Sequence, residues 1–549
     1  MSQVSGGHDA SGLSIARDVP RRRDVISEAY RLLPIAPYLC LLASLLIYWL
    51  ARSVLISVAV RPGNGALMLD ASVLVLAAAL AFVTYGEIPA PLRLLARGIG
   101  VIVLIQLAFD AGNIFLGSAG ADPVFFRFGT VLGLLAGMLA LWRPAFLMPL
   151  FYHYVAFRHQ IGVATGIEIS ETDYLSMLDI GAFLAIGALV AVIATGRWSP
   201  LRAWSAEQHL ELRRVACSLI WACAIGAHLG NYFISAWTKI RAGGADPLFW
   251  LLHNPTQTSI LIGLERGDNP LAAWPAAVQL SWDAIVGGST VVNAFVLGSQ
   301  LASPLAVVTR RCLMAFVLLF DLFHIGVYFT LGALFFFWIA VNTLIFVSAR
   351  RMRDDELTWP MRVVALLAVG FGHYAFYTSH LGWLDGAKLA SPNFFAETSD
   401  GRLTPVPSSY FGIASYSIAQ TVMFVPDDYF PFRIGGNTYN VQDWRDSQAC
   451  GPATVHHQDT GVDLHAVDGL VQQTDAAMRR HPLVKDLNLY YLYPHHMVPN
   501  PFMFRPFNDL SVDDIVRYHY VVDSVCLGLH DGRLARDVRK RFDHVIDVR

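Results

Sequence analysis

Four polar side chains recur along one apolar stretch of the chain, residues 222–241 (ACAIGAHLGNYFISAWTKIR). They follow one another at intervals of four, three and four residues, which places them on one face of a helix. These residues are His228, Tyr232, Ser235 and Lys239. A lysine at the end of an apolar helix either reaches the lipid headgroups or supplies a functional amine, because ionisable groups within membrane segments are costly. The polar neighbours on the same face favour a functional amine.

A second pair of ionisable residues lies in the segment FDLFHIGVYFTLG. Asp321 and His324 are three residues apart and therefore share a helical face. An aspartate in this position would orient the histidine ring and raise its basicity. The alternative is a polar pair that joins two helices. Asp321 or Asp283 is also expected to compensate the amine of Lys239.

A third polar face is predicted near the end of the apolar part of the chain. It consists of His373, Tyr377 and His380, which follow an i, i+4, i+7 pattern. His373 is a candidate substrate- or cofactor-binding residue. Anchoring at the membrane interface is the alternative for this face and the better interpretation of His380.

Histidines and carboxylates also cluster towards the C-terminus: His456, His457, Asp459, Asp463, His465, His495 and His496. Metal ligation needs several such groups that converge with suitable geometry, and this spacing matches no metal motif. We therefore interpret these residues as solvated loop residues and predict no metal site. The chain also lacks a phosphate-binding loop, a nucleophile elbow, a dinucleotide-binding fingerprint and a Cys-x-x-Cys pair.

The composition indicates an integral membrane protein. Of the 549 residues, 55% are hydrophobic and 15% are charged, whereas soluble domains carry about 25% charged residues. The expected partner is therefore a lipid bilayer. A net charge of −2 and the absence of a long basic run argue against nucleic acid.

Ten apolar segments are close to the roughly 20 residues that a bilayer crossing needs. They are residues 33–51, 66–85, 97–117, 127–148, 176–196, 214–238, 283–301, 312–330, 332–349 and 360–381. A break at Gly332 between two of them predicts a tight helical hairpin. The predicted fold class is an all-α polytopic membrane bundle of about 10–11 transmembrane helices, followed by a C-terminal extramembrane α+β domain.

Arginine clusters predict the orientation, because cytoplasmic loops are enriched in Lys and Arg. Arg21, Arg22 and Arg23 place an N-terminal tail, residues 1–30, in the cytoplasm, and the transmembrane domain then covers residues 31–384. The last span runs outward, so residues 385–549 are expected outside. Ten crossings would return the C-terminus to the cytoplasm, so one further crossing or re-entrant element is required, and residues 143–158 are the candidate.

The C-terminal domain differs in composition from the rest of the chain. Polar segments with Pro and Gly alternate with stretches such as TVMFV and YLYP, which favour strands. Cys450 and Cys526 are its only cysteines. A disulfide in an oxidising compartment and two unpaired buried thiols are both consistent with this pattern.

Two segments resemble signatures of the vitamin K-dependent γ-carboxylase and its bacterial relatives with the horizontally transferred transmembrane (HTTM) domain. YFISAWTK, residues 232–239, is similar to the YFIAG-x-K-K type signature. FHIGVYFTLGALFFFW, residues 323–338, is similar to the FHL-x(n)-F-S-I-G-x-F-x-W/Y hairpin of that family. Their order and separation also agree, and the resemblance covers roughly residues 30–350.

The resemblance implies an enzyme of the bacterial inner membrane that modifies an exported peptide or lipid. In the family, a lysine deprotonates a reduced quinone, O2 adds, and the resulting strong base removes a proton from a glutamyl carbon that CO2 then traps. Lys239 matches that lysine and His324 matches a histidine of the hairpin, so both are predicted to be catalytic and to share one site. The implied cofactors are a reduced quinone with O2 and CO2. The predicted substrate- or cofactor-binding residues are His228, Tyr232, Ser235, Asp321 and His373.

Two other classes of function stay open. One is a non-catalytic membrane maturation partner or lipid-binding scaffold for an exported peptide. The other is a transporter, which the intramembrane aspartates support, although paired broken helices of the expected kind are missing. An enzyme requires Lys239 and His324 to face one cavity, whereas a scaffold would hold them apart or fill the space between them.

Overall fold

The computed structural model describes residues 34–59, 64–83, 88–111, 125–167, 172–196, 204–353, 355–419, 422–430, 441, 444–445, 461–494 and 496–548. The helices of the apolar part are α1 Ala36–Ala59, α2 Asn64–Val83, α3 Ala90–Ala111, α4 Thr130–Trp142, α5 Leu147–Thr165, α6 Thr172–Thr195, α7 Ala206–Ala242, α8 Phe249–His253, α9 Thr258–Glu265, α10 Pro275–Gly287, α11 Ser289–Leu301, α12 Arg310–Leu331, α13 Phe336–Arg350 and α14 Trp359–Phe371. The later elements are β1 Lys388–Thr398, β2 Leu403–Val406, α15 Ser415–Ala419, α16 Leu464–Arg480, α17 Pro482–Asp486, α18 Arg505–Asn508, β3 Ile515–His530 and β4 Arg533–Asp547. The predicted N-terminal tail lies outside the described residues.

Within the ranges given above, six helical segments are long and apolar enough to cross a membrane: Ala36–Val54, Ala90–Asp110, Phe125–Trp142, Tyr174–Thr195, Ala206–Ala242 and Arg310–Leu331. The pair α10 and α11 meets the same criteria but bends by 77°, so it forms a broken span or a re-entrant loop. The chain is therefore a mostly helical membrane protein, in agreement with the predicted class. The proposed extra element at 143–158 overlaps α5, whereas α13 and α14, with 15 and 13 residues, are shorter than a full crossing.

The predicted hairpin at Gly332 is confirmed. α12 ends at Leu331, and Gly332 adopts a left-handed conformation with φ of 78°, which glycine reaches without a Cβ penalty. A Cβ at this position would also lie 2.5 Å from the Cβ of Asp268. Glycine is therefore required both by the turn and by the close approach of the Asp268 loop.

The predicted last span, 360–381, is wrong in its second half. α14 ends at Phe371, a short 3-10 turn follows, and residues 375–387 are irregular. Side chains from neighbouring helices bind the backbone here: the amide of Tyr377 donates to Asp179, and the amide of Ser379 donates to Asn231. These contacts replace the hydrogen bonds of a helix, so the predicted i, i+4, i+7 face of His373 is not formed.

The C-terminal part contains a four-stranded antiparallel sheet in the order β2-β1-β3-β4. β3 and β4 form a hairpin in which Asp531 and Gly532 connect the pair His530 and Arg533. Both connecting residues have positive φ, 50° and 72°, which is typical of a two-residue type I′ turn. The stretches TVMFV and YLYP do not form strands: residues 422–425 are irregular, and Tyr491 belongs to a 3-10 turn.

Polar contacts attach the sheet to the helical bundle. Arg536 of β4 makes two hydrogen bonds to Glu265 at the end of α9, at 2.7 and 2.8 Å. Deeper in the bundle, the hydroxyl of Tyr493 donates to Asp110 of α3, which also pairs with Arg158 at 3.2 Å. One hydrophobic cluster includes residues of both parts of the chain. The sheet is therefore packed directly on the helices.

Cys526 of β3 is disulfide-bonded, which agrees with the disulfide interpretation of this residue. Its predicted partner, Cys450, lies outside the described residues. The four cysteines of the helical part are free.

Candidate functional site

The polar stripe predicted at 228–239 lies on α7, a helix of 37 residues that begins at a capping box formed by Ser205 and Gln208. Small residues let neighbouring helices approach: at Gly226 an added Cβ would lie 2.2 Å from the carbonyl oxygen of Ala365 in α14. All four residues of the stripe are buried. The stripe therefore faces the interior of the protein.

Asn342 of α13 organises the first half of the stripe. Its Oδ1 lies 2.8 Å from Nε2 of His228. Its Nδ2 donates to the hydroxyl of Tyr232 at 3.0 Å and to Oδ1 of Asp321 at 2.9 Å. His228, Tyr232 and Asp321 thus meet at one amide side chain, which the sequence analysis did not identify.

His324 is completely buried, and neither of its ring nitrogens has a hydrogen-bond partner among the residues that the structure describes. Its ring lies 5.8 Å from that of Tyr232, 5.2 Å from that of Phe335 and 5.5 Å from that of Trp338, measured between ring centroids. The predicted pairing of Asp321 with His324 is wrong. Although both residues are on α12, Asp321 bonds to Asn342 instead, and the imidazole projects among aromatic rings.

Lys239 is buried, with 6% of the residue exposed. Its Nζ donates to Oε1 of Gln300 in α11 at 3.1 Å and to the carbonyl oxygen of Leu381, and it lies 5.4 Å from the centroid of the Trp250 ring. The expected compensation by Asp321 or Asp283 is wrong: Asp283 is exposed and accepts a hydrogen bond from Gln279. The direct hydrogen-bond partners of the amine are therefore neutral.

Asp385, which lies beyond the spans, influences Lys239 electrostatically. Asp385 accepts hydrogen bonds from Asn254 at 2.7 Å and from Trp383 at 3.0 Å. Burial raises the pKa of Asp385 to about 6, although these two hydrogen bonds and the charge of Lys239 oppose the shift. This carboxyl therefore acts on Lys239 through the electric field rather than through direct pairing.

Ser235 separates the two halves of the stripe. Its hydroxyl donates to the carbonyl oxygen of Ser379 and accepts from the amide of Leu381, both at 3.2 Å. The irregular segment after α14 thus crosses α7 between Tyr232 and Lys239, which are about 10.5 Å apart along the helix axis. Within the described residues, no direct contact joins Lys239 to His324; Tyr232 is the residue of the stripe that contacts the His324 ring.

His373 lies away from these contacts. It belongs to a short 3-10 turn after α14, and its ring packs against Tyr374 with centroids 4.0 Å apart. Among the described contacts, none links His373 with Lys239, His324 or Asn342.

Lys239 differs from another buried lysine, Lys485, in the number of acceptors around its nitrogen; the chain has four lysines. Three of them, Lys239, Lys388 and Lys485, are buried. Lys485 donates to three backbone carbonyls, of Phe507, Asn508 and Leu510, at 2.8, 3.3 and 2.6 Å. This uses all three donors of an ammonium group. Among the described residues, Lys239 has two acceptors, so one position on its nitrogen has no acceptor oxygen there.

No protein-family model, curated protein or solved structure gives a significant match to the chain. Across the part of the chain that the structure describes, no three His, Cys, Asp or Glu residues are grouped as metal ligands. Of the predicted C-terminal cluster, His456, His457, Asp459 and His495 lie outside that part. The candidate site consequently rests on the buried contacts of α7, α12 and α13.

Proposed function

We propose that this protein is an integral membrane enzyme in which Lys239 acts as a base on a reduced lipid quinone or a related membrane substrate, so that an exported peptide or lipid is modified. The observation that carries this proposal is the surroundings of Lys239: a buried amine at the end of a spanning helix, bound to two neutral oxygens. A lysine works as a base only in its neutral form. A neutral amine has two N–H groups, which can bond to the oxygens of Gln300 and Leu381. Its lone pair is then left to accept a proton from the substrate.

Buried polar atoms around His324 support the binding of a quinol. Both imidazole nitrogens and Nε1 of Trp338 are buried without hydrogen-bond partners among the described residues, and polar atoms of this kind are costly unless a ligand or water satisfies them. The oxygens of a quinol could bond to these nitrogens, while its ring packs against the aromatic side chains around His324. When bound, a reduced quinone supplies, with O2, the strong base that the family resemblance implies, and CO2 supplies the added group.

The residues of the chain then have separate tasks. Lys239 Nζ takes a proton from a hydroxyl of the substrate, and the resulting ammonium remains bound to Gln300 and to the carbonyl of Leu381. His324 bonds to the substrate ring through either nitrogen, as donor or acceptor according to its tautomer. Tyr232 accepts from Asn342 and keeps its own hydroxyl proton for donation. The apolar helices around these residues exclude water, which strengthens each polar contact.

We further propose an orientation in the bacterial inner membrane with the N-terminus in the cytoplasm and residues 385–549 outside. The arginine clusters support this orientation, and the disulfide at Cys526 supports an oxidising compartment for the sheet. Together with the broken span, α2 and α5 would add further membrane segments to the six long helices, whereas α13 and α14 are too short for a full crossing. A cysteine introduced at exposed Asp400 should react with an impermeant thiol reagent in intact cells, and reaction only after lysis would contradict the orientation.

A non-catalytic scaffold is the second candidate. Two observations favour it: Ser235 and Lys239 both hold the irregular segment after α14 through Ser379 and Leu381, and this segment crosses α7 between Lys239 and Tyr232, the residue of the stripe that contacts His324, so Lys239 and His324 are held apart as a scaffold requires. In a scaffold, Lys239 would serve only as a structural donor, as Lys485 does.

Oxygen uptake distinguishes the two candidates. Purified protein in lipid nanodiscs is supplied with a reduced naphthoquinone, and O2 consumption is recorded for the wild type, Lys239→Met, Lys239→Arg and the matched control Lys540→Met. Met keeps a flexible stem without the amine, and Arg keeps the charge but does not release its proton. Lys540 is exposed on β4 and far from α7 in the chain.

We expect the wild type and Lys540→Met to consume O2 at the same rate, and both Lys239 variants to be slower by at least about 100-fold. A folded Lys239→Met variant with the wild-type rate would reject the base. A wild type without uptake above a protein-free control would reject quinol oxidation and favour the scaffold.

A further inference from the structure

A second buried polar site lies between the helical bundle and the sheet, away from α7. A cavity of about 220 Å³ is lined by the loop after α9, by β1 and by the segment around Phe504. Its polar lining includes Arg266, Asp268, Ser408 and Arg536, and its apolar lining includes Phe394, Phe395 and Phe504. A cavity of this size holds a small organic molecule rather than a single water.

The loop that carries Asp268 is held on several sides. The amide of Asp268 donates to the carbonyl of Gly263 at 2.8 Å, and Asn269 donates to the carbonyl of Thr330 at 2.8 Å. The amide of Asn500 donates to the carbonyl of Gly267 at 2.8 Å. Gly267 has a positive φ of 70°, and a Cβ there would lie 2.6 Å from the Phe504 ring. The position of Asp268 is therefore fixed by the surrounding backbone.

Despite this fixed position, the carboxyl group of Asp268 has no hydrogen-bond partner in the described part of the chain. The residue is 1% exposed, and both Oδ1 and Oδ2 are without a donor. The hydroxyl of Ser408, which lines the same cavity, also has no partner. A buried carboxylate without a donor is among the costliest groups in a protein interior, so a rigid loop that maintains one indicates a ligand that supplies the donor.

Two acidic residues line the cavity, Glu265 and Asp268, and they differ in their hydrogen-bond partners. Glu265 is already occupied by Arg536, at 2.7 and 2.8 Å, and by the hydroxyl of Ser391 at 2.7 Å. Arg266 influences Asp268 electrostatically without a direct hydrogen bond. Asp268 is therefore the carboxylate that remains to bind a ligand.

We propose that this cavity binds a small primary amine with an apolar body, whose ammonium group pairs with Asp268. The ammonium supplies the donors that both oxygens of Asp268 lack, and the hydroxyl of Ser408 can accept a further N–H. The rings of Phe394, Phe395 and Phe504 would contact the apolar body, and aromatic faces also attract a neighbouring cation. This site is independent of the chemistry proposed for Lys239.

Isothermal titration calorimetry of the full chain in detergent tests the proposal with 2-phenylethylamine as the probe. Phenylethanol and phenylpropionate are compared because they keep the apolar body and replace the amine by a hydroxyl or a carboxylate. The variants are Asp268→Asn, which keeps the shape and removes the charge, and the matched control Asp283→Asn, whose carboxylate is exposed and bonds only to Gln279. A third variant, Ser408→Leu, places a larger side chain at another lining position of the cavity.

We expect the amine to bind the wild type and Asp283→Asn equally, and to bind Asp268→Asn at least about tenfold more weakly. Ser408→Leu should also weaken binding, which keeps the proposal testable if Asp268→Asn does not fold. Equal affinity of the amine for Asp268→Asn and the wild type would overturn the proposal. Tighter binding of the alcohol or the carboxylate, or no amine binding at millimolar concentrations, would overturn it as well.

Discussion

Oδ1 of Asn342 lies 2.8 Å from Nε2 of His228, and this contact defines the polar organisation of the bundle. The amide nitrogen of Asn342 faces Asp321, whose carboxylate can only accept, so the amide oxygen is left to accept from His228. His228 consequently carries its proton on Nε2. One side chain of α13 thereby satisfies polar groups on both α7 and α12.

Asn342→Leu is expected to destabilise the protein. It removes the partner of His228 and of Tyr232, and each buried polar group left without a partner costs about 1–3 kcal/mol. Chemical unfolding in detergent, followed by circular dichroism, measures the change. Gln472→Leu is the control, since Gln472 is exposed and makes a single long hydrogen bond of 3.5 Å. Equal stability of Asn342→Leu and the control would show that the network contributes nothing to the fold.

His324→Phe is expected to keep or raise the stability of the fold while it removes activity. The ring is retained, and two buried nitrogens without partners are replaced by carbon, which removes a desolvation cost. His324→Ala, in contrast, leaves a cavity among aromatic rings and should cost several kcal/mol, about 2–4. Thermal unfolding of the two variants checks this order. If His324→Phe were less stable than His324→Ala, the nitrogens would have partners that stabilise the protein.

Gly332→Ala is expected to destabilise the α12–α13 hairpin by about 1–3 kcal/mol, because alanine at a φ of 78° is strained and its Cβ would meet Asp268 at 2.5 Å. The control is Gly326→Ala on the same helix, where no atom lies within 4 Å of an added Cβ. That substitution should stabilise the helix by roughly 0.5–1 kcal/mol. Unfolding curves that show the same sign for both variants would contradict this account of the turn.

Asp268 gives the folded state a defined pH dependence. Burial raises its pKa from 3.8 to about 7, although the charge of Arg266 opposes the shift. The folded state binds this proton more tightly than the unfolded state. The contribution of protonated Asp268 to the free energy of unfolding is therefore fully present below about pH 4, and it is lost as the pH rises through about 7. The stability of Asp268→Asn relative to the wild type should therefore increase over this range, by roughly 4 kcal/mol at most. A difference that does not change with pH would show that Asp268 titrates normally.

Much of the bundle could be predicted from the sequence, because long apolar segments and their helical spacing are local properties. The stripe of α7 is one example, and the break at Gly332 is another. The partners of the stripe could not be predicted. Asn342 and Gln300 are ordinary polar residues in apolar helices, and their roles depend on which helices pack together. The length of α14 was overestimated because the side chains that bind the backbone after Phe371 come from other helices.

The sequence predicts that the C-terminal part contains strands, but it does not identify which segments form them. Alternating hydrophobicity pointed to residues 421–425, whereas the clearer local signal was the Asp531–Gly532 pair between two extended segments. The pairing of Asp321 with His324 was plausible from spacing alone. It failed because Asn342 offers Asp321 a donor at 2.9 Å, which no local pattern reveals.

The most direct test of the proposed base is chemical rescue of Lys239→Ala in the oxygen-uptake assay with a reduced naphthoquinone. Alanine removes the amine and leaves space for a small primary amine from solution. If Lys239 is the base, added amines should restore activity, and the restored rate should rise with the basicity of the amine. Full activity of Lys239→Ala without added amine, or rescue that does not depend on amine basicity, would contradict the central claim.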